Sequence, residues 1–259
     1  MRILSLFDGM ACGYIALKEL GVQVDNYIAY EIDKYAIQSA TYNFPDIMEK
    51  GDVFKADFKE IAGTVDMLIG GSPCTYWSIA KTTGRETVAS GMGWELFSQY
   101  VRALKEVNPR YFIYENNKSM SKDIRKSICE TFGFEPICIN SSLVSAQNRQ
   151  RLYWVGIRQD DGTYKKAEIV QPEDRGVVLS EVLDTPGSYC MRYERTEEAK
   201  RVRKDYEAHR VHHGYNELRV LHPRNDNKSN TLTTVSKDNL IIQPINTTAD
   251  GKANCIRAT

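Results

Sequence analysis

A cysteine that follows a glycine, serine and proline turn is the residue best placed for nucleophilic chemistry. The apolar run Val65–Ile69 predicts a strand that Gly70 and Gly71 end, and Pro73 fixes the backbone immediately before Cys74. Because ligands bind beyond the carboxyl ends of strands in open α/β sheets, Cys74 is predicted to face a crevice. The alternative is a turn cysteine without chemistry, since unpaired cysteines are usually small buried hydrophobic residues.

Charged side chains stand beside two further strand patterns. Glu115 follows the β-rich run Tyr111–Tyr114, so a second reactive group is predicted at a strand end. Arg149 and Arg151 precede the apolar segment Leu152–Ile157. A positioned carboxyl group is suited to acid–base work, and guanidinium groups bind oxygen acceptors in a defined geometry.

The amino-terminal segment has the pattern of a nucleotide-binding unit. Residues 2–7 predict a strand, Gly9 and Gly13 lie in the turn that follows, and residues 14–20 predict a helix. The glycines let the backbone approach a ligand closely, and the helix amino terminus favours a carboxylate or phosphate. A purely structural turn is the alternative.

Two acids are predicted to bind a nucleoside-like ligand at the same edge. Glu31 ends the strand pattern of residues 24–30, about twenty residues after the glycine turn, where nucleoside-binding folds place an acid for the ribose hydroxyls. Asp52 follows the next predicted strand and is suited to accept a hydrogen bond from an exocyclic amine. The alternatives are a helix-capping acid ahead of residues 34–43 and an ordinary turn aspartate.

The order of these elements predicts the fold class. About seven strand patterns alternate with helical patterns, which include residues 34–43, 94–106 and 121–131. This order predicts an α/β fold with a mainly parallel sheet and helices on both faces. The polar stretch Lys81–Gly93, rich in glycine and threonine, predicts a mobile loop over the crevice.

Composition is that of an ordinary globular protein. The chain has 259 residues, of which 42% are hydrophobic and 26% charged, and 34 Lys and Arg balance 34 Asp and Glu. A polyanion would therefore be held by a local basic patch. Asp8 interrupts the first apolar run too early for a signal peptide or a spanning helix, which favours a cytoplasmic location. The six cysteines lack a C-x-x-C pair and indicate reduced thiols rather than disulfides or zinc.

The chain changes character after Arg158. Residues 177–183 predict a short helix, and a basic stretch follows that contains all four histidines, His209, His212, His213 and His222. No cysteine or acid stands at a recognisable ligand spacing from these histidines, so no metal site is predicted. A charged helix and loop that contact phosphates is the favoured interpretation.

Six motifs, taken in order, resemble those of the cytosine-5 DNA methyltransferases. The stretches Phe7–Gly13 and Gly70–Cys74 are most similar to those of the de novo type and of phage enzymes. The motifs are Phe7–Gly13, Glu31, Asp52, Pro73-Cys74, Glu115-Asn116 and Gln147-x-Arg149-x-Arg151. They cover about residues 2–157, and their order is specific because it places a thiol, a carboxylate and two guanidiniums at three strand ends. The resemblance implies a Rossmann-like, S-adenosylmethionine-dependent methyltransferase fold.

The resemblance also implies a reaction, the transfer of a methyl group from S-adenosylmethionine to C5 of a cytosine flipped out of double-stranded DNA. Cys74 would add to C6 of the ring and so make C5 nucleophilic. Glu115 would bind the N3 and N4 edge and stabilise the protonated ring. Arg149 or Arg151 would hold O2 and the nearby backbone, and the loop after Cys74 would close behind the flipped base.

Cofactor and substrate contacts follow from the same resemblance. S-adenosylmethionine is expected to contact Phe7, Asp8, Gly9, Gly13, Glu31, Ile32, Asp52, Val53, Pro73 and Leu96. The flipped cytosine and its DNA are expected to contact Ser72, Ser78, Asn116 and Gln147. Within the cofactor set, Glu31 is expected at the ribose and Asp52 near the adenine amine.

Two features depart from the family pattern. Asn117 stands where an apolar residue usually follows Glu-Asn, and no R-x-L-T-x-x-E segment or late Gly-Asn pair precedes Thr259. Because Asn230–Thr234 resembles the early part of the target-recognition region, the chain is expected to be cut within that region. We therefore predict a catalytic and cofactor-binding domain at residues 1–176 and a small, partial target-recognition region at residues 177–259, which a carboxyl-terminal segment or subunit would complement.

Three functions compete. The leading hypothesis is a bacterial or phage cytosine-5 DNA methyltransferase, nucleoid-associated and linked to restriction–modification. The second is a truncated, inactive homologue that binds DNA, cofactor or a complementing chain. The absent carboxyl-terminal motifs favour this second function, whereas the intact set of thiol, carboxylate and guanidiniums favours the enzyme. A dinucleotide oxidoreductase, the third, does not account for Pro73-Cys74 or for residues 147–151.

Overall fold

The computed structural model describes residues 1–79, 81, 83–178 and 181, together with the backbone of three later strands. One sheet contains β1 (Arg2–Leu6), β2 (Asn26–Tyr30), β3 (Ile47–Glu49), β4 (Met67–Gly70), β5 (Tyr111–Asn117), β6 (Ile137–Asn140), β7 (Gln150–Arg158) and β8 (Tyr164–Lys166). The α-helices of this part of the chain are α1 (Cys12–Glu19), α2 (Lys34–Asn43), α3 (Gly91–Val107) and α4 (Lys122–Phe132). Short 3-10 helices cover Val53–Lys55, Phe58–Ile61, Cys74–Tyr76 and Ser141–Leu143.

The sheet is mainly parallel, with antiparallel pairs towards one side. Its strand order is β3-β2-β1-β4-β5-β7-β6, and β8 also pairs with β7. Parallel pairing runs from β3 through β2, β1 and β4 to β5, whereas β7 is antiparallel to both β5 and β8. The carboxyl ends of the parallel strands therefore meet at one edge, and the predicted α/β fold is confirmed.

Apolar side chains cover both faces of this sheet. In β1, Leu4 and Leu6 belong to one buried cluster and Ile3 to another, because successive residues of a strand point to opposite faces. The first cluster includes the buried sides of α3 and α4, and the second includes Leu17 of α1 and Ala40 of α2. Helices thus lie on both faces, as predicted.

The observed helix bounds agree with the predicted ones where the sequence contains a capping residue. α2 has the predicted bounds because Asp33 Oδ1 accepts hydrogen bonds from Tyr35 N and Ala36 N, both at 2.9 Å, and so caps its first turn. α3 begins earlier than predicted. Its first turn contains Gly91 and Gly93, which contribute nothing to the apolar periodicity from which the helix was predicted.

β5 continues past the apolar run that predicted it. The run ends at Tyr114, but residues 115–117 extend the antiparallel pairing with β7, in which Glu115 lies opposite Tyr153. The prediction that Glu115 follows the strand end is therefore wrong, because the partner strand supplies backbone hydrogen bonds that periodicity cannot show. β4 pairs with β5 only as far as Gly70 opposite Tyr114, so Glu115 still lies beyond the end of β4.

The chain divides into two compact units. The first contains residues 1–139 and 150–170, and the second contains residues 140–149 and 171–259. Residues 140–149 form a closed loop, in which Ser141 Oγ donates to Gln147 O at 2.7 Å, and Arg175 N donates to Leu143 O at 2.8 Å. These bounds differ from the predicted boundary at 176, and the functions assigned to the two segments stay predictions.

The second unit has its own antiparallel sheet, ordered β10-β9-β11, from β9 (Tyr189–Arg195), β10 (Arg219–Pro223) and β11 (Leu240–Ile242). The predicted helix at 177–183 and the side chains of the basic, histidine-bearing stretch lie largely or wholly outside the described residues. Within the described residues, no helix is long and apolar enough to cross a membrane.

Candidate active site

Cys74 lies in a tight turn just beyond the carboxyl end of β4. It is the first residue of a 3-10 helix, and its carbonyl oxygen accepts hydrogen bonds from Trp77 N at 3.1 Å and Ser78 N at 2.8 Å. Its side chain is half-buried. The structure therefore presents the thiol at the sheet edge where the sequence predicted it.

Glu115 and Arg151 form an ion pair beside this turn. Arg151 Nε lies 2.9 Å from Glu115 Oε1, and their side chains are 14% and 33% exposed, respectively. A Cβ placed on Gly71 would lie 2.8 Å from both the carbonyl oxygen and Oε2 of Glu115. The carboxylate thus packs directly on the backbone that leads to Cys74, and only glycine fits at position 71.

A buried hydrogen-bond network holds the backbone just before the Cys74 turn. Ser72 Oγ lies 2.6 Å from Tyr114 Oη, and the Asn116 amide donates to Ser72 O and to Tyr114 Oη, both at 3.1 Å. Burial raises the pKa of Tyr114 well above its ordinary value, so this phenol stays a neutral hydrogen-bonding group. Ser72 and Asn116 are both buried, with contacts inside the protein. Their geometry favours a supporting role over the predicted substrate contact.

A cavity of about 350 Å³ opens at the same sheet edge. Seven residues of the predicted cofactor set line it: Phe7, Glu31, Ile32, Asp52, Val53, Pro73 and Leu96. Six further lining residues were not predicted from the sequence: Tyr30, Gly51, Phe54, Thr75, Tyr76 and Met92. Most of these adjoin predicted residues in the chain, and that adjacency was the available signal. Because Pro73 and Thr75 flank Cys74, the cavity reaches the neighbours of the thiol.

Asp8, Gly9 and Gly13 do not line this cavity. Gly9 N donates to Glu31 Oε2 at 2.9 Å, and Asp8 Oδ1 accepts hydrogen bonds from the hydroxyls of Ser5 and Tyr27. A Cβ on Gly13 would collide with the Ile69 side chain. The lack of a side chain at Gly13 lets α1 pack closely on the sheet, and the expectation that Gly13 also lets the backbone approach a ligand stays a prediction.

The two acids of the cavity are held by backbone amides. Glu31 Oε1 accepts from Ile32 N at 2.8 Å and Asp33 N at 2.9 Å, and Asp52 Oδ1 accepts from Phe54 N at 3.0 Å. A carboxylate has about four acceptor positions, so each acid retains capacity for a ligand donor. Two oriented carboxylates in an otherwise largely apolar cavity fit a nucleoside, whose base is flat and whose sugar and amine donate hydrogen bonds.

A third acid, Glu49, ends β3 on the side of the second buried cluster. Within the described residues, neither of its buried carboxylate oxygens has a hydrogen-bond partner. Burial, followed by the charges of Asp8 and Glu31, raises the pKa of Glu49 to about 7. Burial likewise raises the pKa of Asp8. The native state therefore favours the protonated form of Glu49.

We predict that Glu49→Gln stabilises the protein increasingly as the pH rises. Below the ordinary value of 4.5 the acid is neutral in both the folded and the unfolded states. As the pH rises from 4.5 through about 7, Glu49 ionises in the unfolded state before it ionises in the folded state, so the free energy of unfolding of the wild-type protein falls. The neutral amide of Glu49→Gln does not ionise, so the variant avoids this loss. Thermal unfolding from pH 4.5 to 8 measures the effect. The exposed control Glu19→Gln should show no such trend, and a Tm difference independent of pH would contradict the prediction.

Gln147 and Arg149 belong to the second unit. Arg149 N donates to Asn140 Oδ1 at 3.0 Å, and Gln147 N donates to Ser145 Oγ at 3.3 Å. The first unit thus contains Cys74, Glu115 and Arg151 together, while Gln147 and Arg149 lie on a loop of the other unit. Among the residues that the structure describes, no group of three or more His, Cys, Asp or Glu is placed to hold a metal ion.

The strand order, with the antiparallel strand β7 between β5 and β6, and the cavity at the carboxyl edge define a Rossmann-like methyltransferase fold. The family described as C-5 cytosine-specific DNA methylase matches residues 1–254. The chain belongs to this family.

Curated relatives come from phages and bacteria. The orphan methyltransferase M.Rho11sI of Bacillus phage rho11s is 35% identical over 192 residues, which cover 70% of this chain and 37% of the relative. The orphan methyltransferase M.SPRI of Bacillus phage SPR is 30% identical, covering 80% and 50%. The Type II methyltransferase M.Eco47II of Escherichia coli is 31% identical, covering 61% and 40%. The chain thus spans half or less of the length of these relatives.

Proposed function

We propose that this chain carries the catalytic centre of a DNA cytosine-5 methyltransferase that uses S-adenosylmethionine. The observation that supports this most directly is the packing of the Glu115–Arg151 ion pair against Gly71, at the base of the turn that presents Cys74. A nucleophile, an acid and a cation beside a nucleoside-sized cavity are what attack on a pyrimidine ring requires. Double-stranded DNA is the proposed substrate, and association with the nucleoid follows from it.

Each side chain has a proposed role in the reaction. The Cys74 thiolate adds to C6 of a flipped cytosine and leaves by β-elimination after methylation and loss of the C5 proton. Glu115 binds the N3 and N4 edge and favours the protonated ring, and Arg151 orients Glu115. Arg149 and Gln147, on the loop of the second unit, are proposed to contact the substrate, as is Ser78 beside the nucleophile.

The cavity is the proposed cofactor site. Glu31 is proposed to hold the ribose hydroxyls and Asp52 the adenine amine, between walls that include Phe7, Val53 and Leu96. When bound, S-adenosylmethionine supplies the methyl group. Asp8, Gly9 and Gly13 do not line this cavity, and they are also proposed to belong to the cofactor site.

Methyl transfer to duplex DNA tests the function, and Glu31→Ala tests the cofactor site within it. We expect 5-methyldeoxycytidine in digested DNA, detected by mass spectrometry. We also expect the variant to raise the KM for S-adenosylmethionine by about 5- to 150-fold, because a hydrogen bond to a charged group contributes about 1–3 kcal/mol. The matched control is Glu19→Gln, an exposed acid on α1, which should match the wild-type protein.

Because the curated relatives are longer, the assay is run on this chain and on a fusion that adds the corresponding carboxyl-terminal part of a relative. Activity only in the fusion would support the further proposal that a carboxyl-terminal segment or subunit complements this chain. No 5-methyldeoxycytidine from either protein would overturn the enzyme and favour the alternative, a non-catalytic homologue that binds DNA or cofactor. An unchanged KM in Glu31→Ala would remove Glu31 from the cofactor site.

A further inference from the structure

The segment that follows Cys74 folds back on the sheet through two adjacent charged residues, Arg85 and Glu86. Both are half-buried, and the cofactor and substrate roles assigned above leave them unused. Their hydrogen bonds converge on Trp77, whose side chain is fully buried. We call Arg85 and Glu86 the latch.

Glu86 joins Trp77 to the start of α3. Trp77 Nε1 donates to Glu86 Oε2 at 3.2 Å, and Gly93 N donates to the same oxygen at 3.1 Å. The backbone of Glu86 donates to Tyr76 O at 2.9 Å. A Cβ on Gly93 would lie 2.5 Å from Trp77 Nε1 and 2.6 Å from Glu86 Oε2, so the three groups are packed without spare room.

Arg85 joins the same tryptophan to the end of β5. Its Nε donates to Trp77 O at 2.9 Å, and its Nη2 donates to Ser119 O. Ser119 follows β5, the strand that carries Glu115. The latch therefore ties the segment after the nucleophile both to α3 and to the strand of the catalytic acid.

Trp77 connects the latch to the nucleophile through its own hydrogen bond to Cys74. Its backbone N–H donates to Cys74 O at 3.1 Å, and its ring packs edge-on against Phe97 of α3. The peptide of Cys74 is thus fixed by a residue whose N–H, carbonyl and indole are all engaged. A nucleophile must be held near its attack geometry, and a displacement of about 1 Å is enough to cost about a hundredfold in rate.

We propose that Arg85 and Glu86 are positioning residues that hold Trp77, and through it the Cys74 turn, in the geometry for attack. The proposal rests on the function proposed above, since it assigns the latch to that reaction. Neither residue is proposed to touch DNA, cofactor or the reacting atoms. The latch acts on Trp77 through hydrogen bonds to its backbone and indole, while its bonds to Gly93 N and Ser119 O anchor it to α3 and to the chain after β5.

The test compares Glu86→Ala, Glu86→Gln and the exposed control Glu95→Gln, which lies on α3. The first readout is the rate constant for alkylation of Cys74 by iodoacetamide, measured by mass spectrometry on the protein without DNA or cofactor. We expect Glu86→Ala to raise it about three- to tenfold, the size that loss of one net hydrogen bond produces. Glu86→Gln keeps one acceptor oxygen and should fall between the wild-type protein and Glu86→Ala.

The second readout is steady-state methyl transfer by the active form of the protein. Glu86→Ala should lower kcat about 10- to 100-fold while both KM values stay within about threefold, because the latch contacts neither substrate. Glu86→Gln should restore part of the kcat. A general loss of structure would instead move both KM values and the Tm together.

Unchanged alkylation in a folded Glu86→Ala protein would overturn the proposal, as would a rise in KM at constant kcat. If Glu86→Ala does not fold, Glu86→Gln decides by the same criteria. If even the wild-type protein transfers no methyl group, the proposed function fails, but the alkylation rates still report whether the latch holds the Cys74 turn.

Discussion

Cys74→Ser should abolish the covalent complex that we expect between the wild-type protein and a duplex containing 5-fluorocytosine. Release of Cys74 by β-elimination requires loss of the substituent at C5 as a cation, which hydrogen permits and fluorine does not. The wild-type protein should therefore remain attached to C6 through its sulfur. A serine hydroxyl at its ordinary pKa is a far poorer nucleophile than a thiolate, so the variant should form no complex.

Denaturing electrophoresis and peptide mapping measure this complex in the presence of S-adenosylmethionine, with the fusion protein described above as well as this chain. Cys12→Ser is the matched control, because Cys12 is an exposed thiol at the start of α1. The control should form the complex as the wild-type protein does. Attachment at Cys12 or Cys129, or a complex that survives Cys74→Ser, would refute the role proposed for Cys74.

Glu115→Gln should slow formation of the same complex by about a hundredfold or more, the size expected for loss of a positioned acid. Glutamine has nearly the same shape, and its carbonyl oxygen can still accept a hydrogen bond from Arg151 Nε. The side chain nevertheless loses the negative charge that favours a protonated ring. The substitution thus separates the charge of Glu115 from its place in the fold.

Single-turnover kinetics with saturating DNA and S-adenosylmethionine measure the rate. Glu130→Gln, an exposed acid near the end of α4, is the control and should react at the wild-type rate. If Glu115→Gln lowered the rate of complex formation by less than about threefold, a group other than Glu115 would stabilise the protonated ring.

Local signals in the sequence were enough to place several parts of the site. The apolar run, the paired glycines and Pro73 locate Cys74, and the spacing from the glycine turn locates Glu31. Asp52 follows its strand in the same way. Each of these residues is set by a short stretch of chain, so its position at the carboxyl edge can be read from neighbouring residues alone.

Long-range packing decides the remaining features. Glu115 lies within β5 because β7 pairs with it, and Gly13 packs against the Ile69 side chain of a distant strand. The hydrogen bond between Ser72 and Tyr114 joins residues far apart in the chain, and the apolar periodicity of the sequence cannot predict such a contact. The Ser72 hydroxyl, which the sequence predicted at the substrate, therefore makes hydrogen bonds inside the protein.

The antiparallel direction of β7 determines when the ion pair of the site can form as the chain folds during synthesis. Cys74 follows β4 and Glu115 lies in β5, which are parallel strands, whereas Arg151 lies near the start of β7, which begins at their carboxyl edge and runs in the opposite direction. A nascent chain that has emerged only as far as α4 has its nucleophile and its acid but lacks the cation that pairs with the acid. The ion pair forms only when β7 pairs with β5, which is a non-local and therefore slow class of folding event, so the formed Glu115–Arg151 pair would report that this strand pairing is complete.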